Sequence, residues 1–212
     1  AAVNRSPLVA WLYDPLWRRR SVGWLTRGRY AGRRESEAMA SWLVTAPNAT
    51  VLDVGCGSGH YLRALRAAAP DAHLHGTDLS LAFLRTGARR LGRDGIDVTL
   101  VRADAHDLPY ADETFDGVAI GGTPNELRDR PTAFAEIARV LRPGGRLWLM
   151  ASVRGEGPLA RAGARLMAWT GLSLPSADEV LREVQAAGFE AGRIEHRPPL
   201  LLARFVRSQD GA

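Results

Sequence analysis

The chain has 212 residues, of which 46% are hydrophobic and 24% charged, with a single cysteine. That balance fits one globular domain able to bury its own core. It excludes an intramolecular disulfide and a cysteine-built zinc site, and no run approaches the roughly 18 apolar residues of a membrane-spanning helix. All 28 basic residues are Arg, and the net charge of +5 lies within residues 1–50, where eight Arg face Asp14, Glu35 and Glu37.

The first twenty residues lack the basic-then-apolar order of a secretory signal, so a cytoplasmic location is expected. Residues 1–48 read as a helical segment, too short and too basic for an independent domain. From residue 49 to 212 the pattern is that of one α/β domain. VLDV (51–54) is a short buried strand. Leu62, Leu65 and Ala69 share a helix face, and HLHGT (73–77) is a second strand. Ser80 caps a helix with Leu84, Ala88 and Leu91 at helical spacing. Strands follow at 97–103 and 115–122. A helix over 131–141 stops at Pro143-Gly144-Gly145, and a fifth strand runs over 146–152. Strict alternation of strand and helix implies right-handed crossovers and a parallel sheet with helices on both faces. Residues 157–172 read as an amphipathic helix in an insertion, 154–175, over the sheet edge. Ser176 and Glu179 form a capping box for a helix to Ala187. Two last strands, joined at Pro198-Pro199, lie too close for a crossover and should pair antiparallel.

The turn after the first strand decides the ligand class. VLDVGCGSG places Gly55, Gly57 and Gly59 at alternate positions, with Asp53 two residues ahead. A dinucleotide fingerprint would need its third glycine at position 60 or 62, where His60 and Leu62 stand. A phosphate-binding P-loop would need a lysine, and the chain has none. S-adenosylmethionine, which carries no phosphate, fits better. Glycines let backbone approach its amino-acid end, and Asp53 suits its ammonium. Asp78, at the end of the second strand, suits the two ribose hydroxyls, and Asp104, at the end of the third, the adenine amine. Asp78 as a helix cap and Asp104 as a turn residue are the structural alternatives.

VLDVGCGSG, GTDLS, RADAHDLPYADETFDGV and RVLRPGGRL, in that order, resemble class I S-adenosylmethionine-dependent methyltransferases. Within that class they are most similar to the small-molecule branch typified by menaquinone and ubiquinone biosynthesis enzymes. The resemblance implies a Rossmann-like seven-stranded, mostly parallel sheet with an antiparallel last strand and a helical N-terminal lid. It implies that Asp53, Gly55, Gly57 and Gly59 wrap the methionine portion, with Cys56 a small packing residue among them. It further implies that Leu79 packs on the adenine, that Asp104 and Ala105 recognise its edge, and that Gly121 lets the backbone approach the sulfonium. The product would be S-adenosylhomocysteine, and no metal is expected.

Methyl transfer needs alignment first and a base only where the acceptor must lose a proton. After the fourth strand, Asn125 and Glu126 are the polar residues nearest the transfer point, with Glu126 either a base or orienter or a helix-start or salt-bridge residue. His106 is a further catalytic candidate, and it and His60 flank the cofactor loops. The acceptor would enter between the N-terminal segment and the insertion. Trp11, Tyr13, Trp17 and Arg29 line the first side; Leu159, Leu166, Met167 and Trp169 line the second. Aromatics interleaved with Arg suit a lipophilic or aromatic small molecule with an anionic or polar handle. Two other readings stay open: an RNA methyltransferase using the basic segment, disfavoured by the lack of a separate RNA-binding module, and a protein that binds the cofactor without methylating. A homodimer is the one protein partner left open.

Overall fold

Asp53 sits on the central strand of a seven-stranded sheet. The computed structural model describes residues 32–168, 172–197 and 199–209. The strands are β1 (Thr50–Val54), β2 (His73–Asp78), β3 (Thr99–Arg102), β4 (Phe115–Gly121), β5 (Leu141–Ser152), β6 (Phe189–Arg197) and β7 (Leu200–Arg207). The helices are α1 (Gly32–Leu43), α2 (His60–Ala68), α3 (Leu81–Arg93), α4 (Arg130–Val140), α5 (Pro158–Ala168) and α6 (Ala177–Ala186). The sheet order is β3-β2-β1-β4-β5-β7-β6. Neighbours from β3 to β5 are parallel, and β7 runs antiparallel to both β5 and β6. The expected Rossmann-like sheet with an antiparallel last strand is therefore the fold observed.

Period-two alternation splits the core into two layers. Leu52, Val54, Val118, Ile120, Leu147 and Leu149 face α4 and α6, where Phe134, Ile137, Val180 and Val184 cover them. Val51, Ala119 and Trp148 face the other way, onto α1, α2 and α3. The chain builds β1 to β3 outward on one side, then crosses to β4 and β5 on the other. β1 and β4 thus flank a topological switch point, and the crevice at their carboxyl ends is where such sheets bind ligands.

Several boundaries differ from the sequence pattern for local reasons. β5 starts earlier than residue 146. Leu141 already pairs with Phe115, residues 142–145 bulge out, and pairing resumes at Arg146 opposite Gly117. On α3 the buried seam is Phe83, Leu84, Gly87 and Leu91 rather than Leu84, Ala88 and Leu91, and Ala88 is exposed. Gly87 belongs to the seam because a methyl there would lie 3.2 Å from the Gly57 carbonyl oxygen. Ser176 caps α6 by accepting from the Glu179 N–H, as expected. The Glu179 carboxylate instead meets Arg130. The helix expected over 157–172 is described over Pro158–Ala168 as α5, and residues 169–171 lie outside the described residues.

Of the N-terminal segment, residues 1–31 lie outside the described residues. α1 packs into the body of the domain: Met39, Ala40 and Leu43 are fully buried. The Leu43 carbonyl approaches Gly117 so closely that a Cβ there would stand 3.0 Å from it. No helix among the described residues is long and apolar enough to cross a membrane.

Candidate cofactor site and substrate cleft

The loop after β1 is built from left-handed glycines. Gly55, Gly57 and Gly59 have φ of 71°, 54° and 86°, values that L side chains rarely adopt. The Cys56 N–H donates to the Thr77 carbonyl at 2.8 Å, tying the loop to the end of β2. Asp78 completes the tie. Its Oδ2 accepts from the Gly57 N–H at 2.9 Å and its Oδ1 from the Ser80 N–H at 2.8 Å. The side chain thus organises the loop and the approach to α3, whose N-cap is Ser80, and keeps unused lone pairs on both oxygens. Burial raises the Asp78 pKa from its ordinary value, against the lowering effect of these two N–H donors. Asp53 is buried, on the sheet face that α1 and α2 cover. Burial pushes the Cys56 thiol well up, helped by the nearby Asp53 and Asp78 carboxylates, so Cys56 stays a neutral packing group.

The β3 side presents a second acid. Asp104 Oδ1 accepts from the His106 backbone N–H at 3.1 Å and lies 2.5 Å from His106 Nδ1. The imidazole bond, with the N–H bond, holds the Asp104 carboxyl below its usual value. His106 is thus brought to the proposed adenine acid, and Ala105 between them packs on the core. Leu79, next to Asp78, is 53% exposed. His60 is engaged elsewhere, its Nε2 lying 2.9 Å from Ser36 Oγ.

The β4 end closes the crevice. Thr123 Oγ1 donates to the Gly55 carbonyl at 3.4 Å, so the turn after β4 rests on the glycine loop after β1. Gly121 is covered by the Tyr61 ring; a Cβ there would stand 2.7 Å from Tyr61 Cζ. The buried Tyr61 hydroxyl in turn donates to Glu35 on α1. Gly121→Ala should therefore cost about 1–3 kcal/mol, the usual range for overpacking a rigid site. Urea denaturation reads this, and an unchanged midpoint would show that the ring does not bear on the glycine. Asn125 is buried and its amide is committed. Its Nδ2 donates to the Ser152 and Ser173 carbonyls, both at 2.7 Å, and its Oδ1 accepts from the Ser152 N–H at 2.8 Å. Asn125 therefore clips the end of β5 to the segment that follows α5. Glu126 lies on the wall of a cleft of about 560 Å³ that extends from this turn to Arg154 and α5. Leu159 and Leu166 are exposed on α5. Trp11, Tyr13, Trp17, Arg29 and Trp169 lie outside the described residues. Among those described, no three His, Cys, Asp or Glu side chains converge to hold a metal ion.

A family profile described as "Methyltransferase domain" matches residues 51–145. A ubiquinone/menaquinone biosynthesis C-methyltransferase of Burkholderia mallei is 31% identical over 170 residues, covering 78% of this chain and 68% of that protein. The chain belongs to the class I S-adenosylmethionine-dependent methyltransferases. A demethylmenaquinone methyltransferase of Symbiobacterium thermophilum is 42% identical over 104 residues, 47% of this chain and 41% of that one. The chain thus spans about half the length of the first curated relatives it matches. Among solved structures, the [4+2]-cyclase SpnF has the same fold, with a TM-score of 0.73 at 24% identity over 85% of this chain and 83% of that one.

The residues present fit the methyltransferase cofactor. Gly57 has open space where a Cβ would stand, with only Phe83 Cδ1 at 4.0 Å, so the loop leaves room for a ligand against its backbone. Asp53, Asp78 and Asp104 stand on or just after β1, β2 and β3 in the order the ammonium, ribose and adenine require. Sequence reasoning missed how the segment after β3 is held in place. Arg139 on α4 bonds the Leu108 and Tyr110 carbonyls at 2.9 and 2.8 Å and the Asp112 carboxylate at 2.8 Å. Glu136 Oε2 accepts the Leu108 N–H at 2.9 Å and pairs with Arg139. The i,i+3 spacing of this pair in EIARVLRPGG was the available signal.

Proposed function

We propose that this chain transfers a methyl group from S-adenosylmethionine to a small, lipophilic or aromatic metabolite. The observation that carries the reading is the Asp78 carboxylate, which holds the three-glycine loop at the switch point while keeping lone pairs for a ribose. When bound, the cofactor supplies a methyl group already activated on a sulfonium. The chain's own task is then alignment and exclusion of water. In this reading Asp53 receives the ammonium, the glycine loop the methionine portion, Leu79 the adenine face, and Asp104 with Ala105 the adenine edge. Gly121, expected to open backbone to the sulfonium, instead makes room for the Tyr61 ring that backs the site.

Glu126 takes or orients the proton that the acceptor loses, and Asn125 positions it by fixing the turn. The relatives' names favour carbon as the accepting atom. Trp11, Tyr13, Trp17, Arg29 and Trp169 keep a substrate-contacting role in the proposal, with the segment ahead of α1 as the lid; α1 itself, expected within that lid, belongs to the core. A small metabolite, rather than RNA, is the proposed acceptor, and a metal is not part of the mechanism.

The test supplies methyl-labelled cofactor and a metabolite extract to the purified chain. Label should pass to a small organic-extractable product. Label in RNA would establish the rival substrate, and tight cofactor binding with no label transfer to any acceptor would favour a non-methylating protein. That outcome is a live rival because the same fold serves a cyclase. Glu126→Gln should keep cofactor affinity and lower turnover by about 100-fold, the ordinary contribution of a positioned acid–base group. Full turnover would remove Glu126 from the mechanism.

A further inference from the structure

Arg139 and Arg207 each meet an acid, and the buried Arg130 meets two. The cleft beside the β4 turn gathers arginines of a different kind. Arg128, Arg154, Arg161 and Arg165 all line it, and none makes an ion pair among the described residues. Among the described lining residues Glu126 is the one acid beside these four cations, an excess of three positive charges there. Arg130 also lines the cleft, but Glu179 and Glu183 already compensate it.

The four groups come from three elements. Arg128 follows the β4 turn, Arg154 follows β5, and Arg161 with Arg165 lies on α5. Those two are four residues apart and share a helix face. A like-charged pair at that spacing destabilises a helix unless a counter-ion sits between them. Apart from Ser173 the remaining lining is apolar, with Leu127 and Leu174 among it. Position completes the argument. The cleft opens at the carboxyl ends of β4 and β5, and the turn that forms its edge rests on Gly55 of the cofactor loop.

We infer that this cleft binds a phosphate or diphosphate group carried by an apolar methyl acceptor. Four guanidinium groups along one cleft offer forked donors to the several oxygens of such a group, and three excess charges suit a polyanion better than a single carboxylate. The inference rests on the methyl-transfer reading for the acceptor's role, though the anion site can be measured without turnover.

The full chain is titrated calorimetrically with inorganic diphosphate at low salt, with and without S-adenosylhomocysteine. Wild type should bind saturably. Arg154→Ala and Arg161→Ala/Arg165→Ala should each weaken binding by about tenfold or more, the usual effect of losing a charge-assisted hydrogen bond. Arg161 and Arg165 are exposed, so their removal leaves the core intact, and circular dichroism verifies this. Arg193→Ala, on the exposed edge strand β6, removes one charge as Arg154→Ala does and should leave diphosphate binding unaltered. Absence of saturable binding, or equal weakening by Arg193→Ala, would overturn the inference. So would acetate or succinate binding as tightly as diphosphate, or a short RNA binding more tightly through the same arginines. Diphosphate binding without any binding of S-adenosylhomocysteine would support the anion site while removing the methyl-transfer reading.

Discussion

Asp78→Ala should weaken S-adenosylhomocysteine binding by about 100-fold or more. Two hydroxyl donors to an ionised carboxylate contribute roughly 1.5–3 kcal/mol each, and each 1.4 kcal/mol is about tenfold in affinity. A second loss adds to this, because the same carboxylate accepts the Gly57 and Ser80 N–H groups. Removing it frees the loop to leave the geometry that the ligand needs. Asp78→Asn separates the two roles: it keeps one acceptor oxygen for the loop and gives up the charge, so its affinity should fall between wild type and alanine. Calorimetry with circular dichroism reads both variants, and unchanged affinity in the folded alanine variant would end the ribose assignment.

The pH dependence of this site has opposite signs for stability and for binding. Burial raises the Asp78 pKa above that of the unfolded chain, whose carboxylate titrates near about 3.9. The folded state therefore holds the proton more tightly, and Asp78's contribution to stability is largest below the unfolded value. It is lost as pH rises through the interval up to the folded value. Binding runs the other way, since the ribose hydroxyls need an ionised acceptor. As pH falls, affinity should begin to drop at a higher pH than an ordinary carboxylate would give. Asp78→Asn should flatten that dependence and, at neutral pH, remove the cost of a buried charge.

The parallel part of the fold was legible because each strand and helix from 50 to 152 carries its own period, and punctuation by Gly and Pro separates them. The glycine loop was legible for a related reason: three alternating glycines have few uses other than a backbone that turns left and approaches a ligand. Other features depend on partners distant in the chain. Asn125, the polar residue after β4, reads as chemistry until its amide is seen joined to Ser152 and Ser173, 27 and 48 residues away. Gly87 has no apolar signal, yet it lets α3 lie on the cofactor loop. Glu179 fits a capping box by spacing, but a buried guanidinium 49 residues away takes its carboxylate. The cleft arginines are spread from 128 to 165, and only the fold brings them together.

Arg130→Ala should lower the unfolding free energy by about 2–4 kcal/mol, the cost of leaving one largely covered and one half-exposed carboxylate without their buried cation. Arg130 is only 9% exposed. Its Nε and Nη2 bond the two oxygens of Glu183 at 2.7 and 2.8 Å, a fork-to-carboxylate match, while Nη2 also reaches Glu179 at 2.8 Å. Nη1 donates to Ser173 Oγ at 3.1 Å. One cation thus joins the first turn of α4, the α6 helix and the segment at Ser173 that Asn125 also holds. The lower end of the range applies to Glu179, whose side chain is 42% exposed and screened by water. Arg130→Lys should recover only part of the loss, because an ammonium keeps the charge but cannot bridge three partners with a rigid fork. Arg130→Met with Glu179→Gln and Glu183→Leu should be far milder than Arg130→Ala, since the penalty comes from stranded charge rather than from absent pairing. Cofactor affinity should survive in all three variants, because the Asp78 loop lies on the other side of the switch point. A chemical denaturation midpoint in Arg130→Ala equal to wild type would show that this junction does not hold α6 to the sheet.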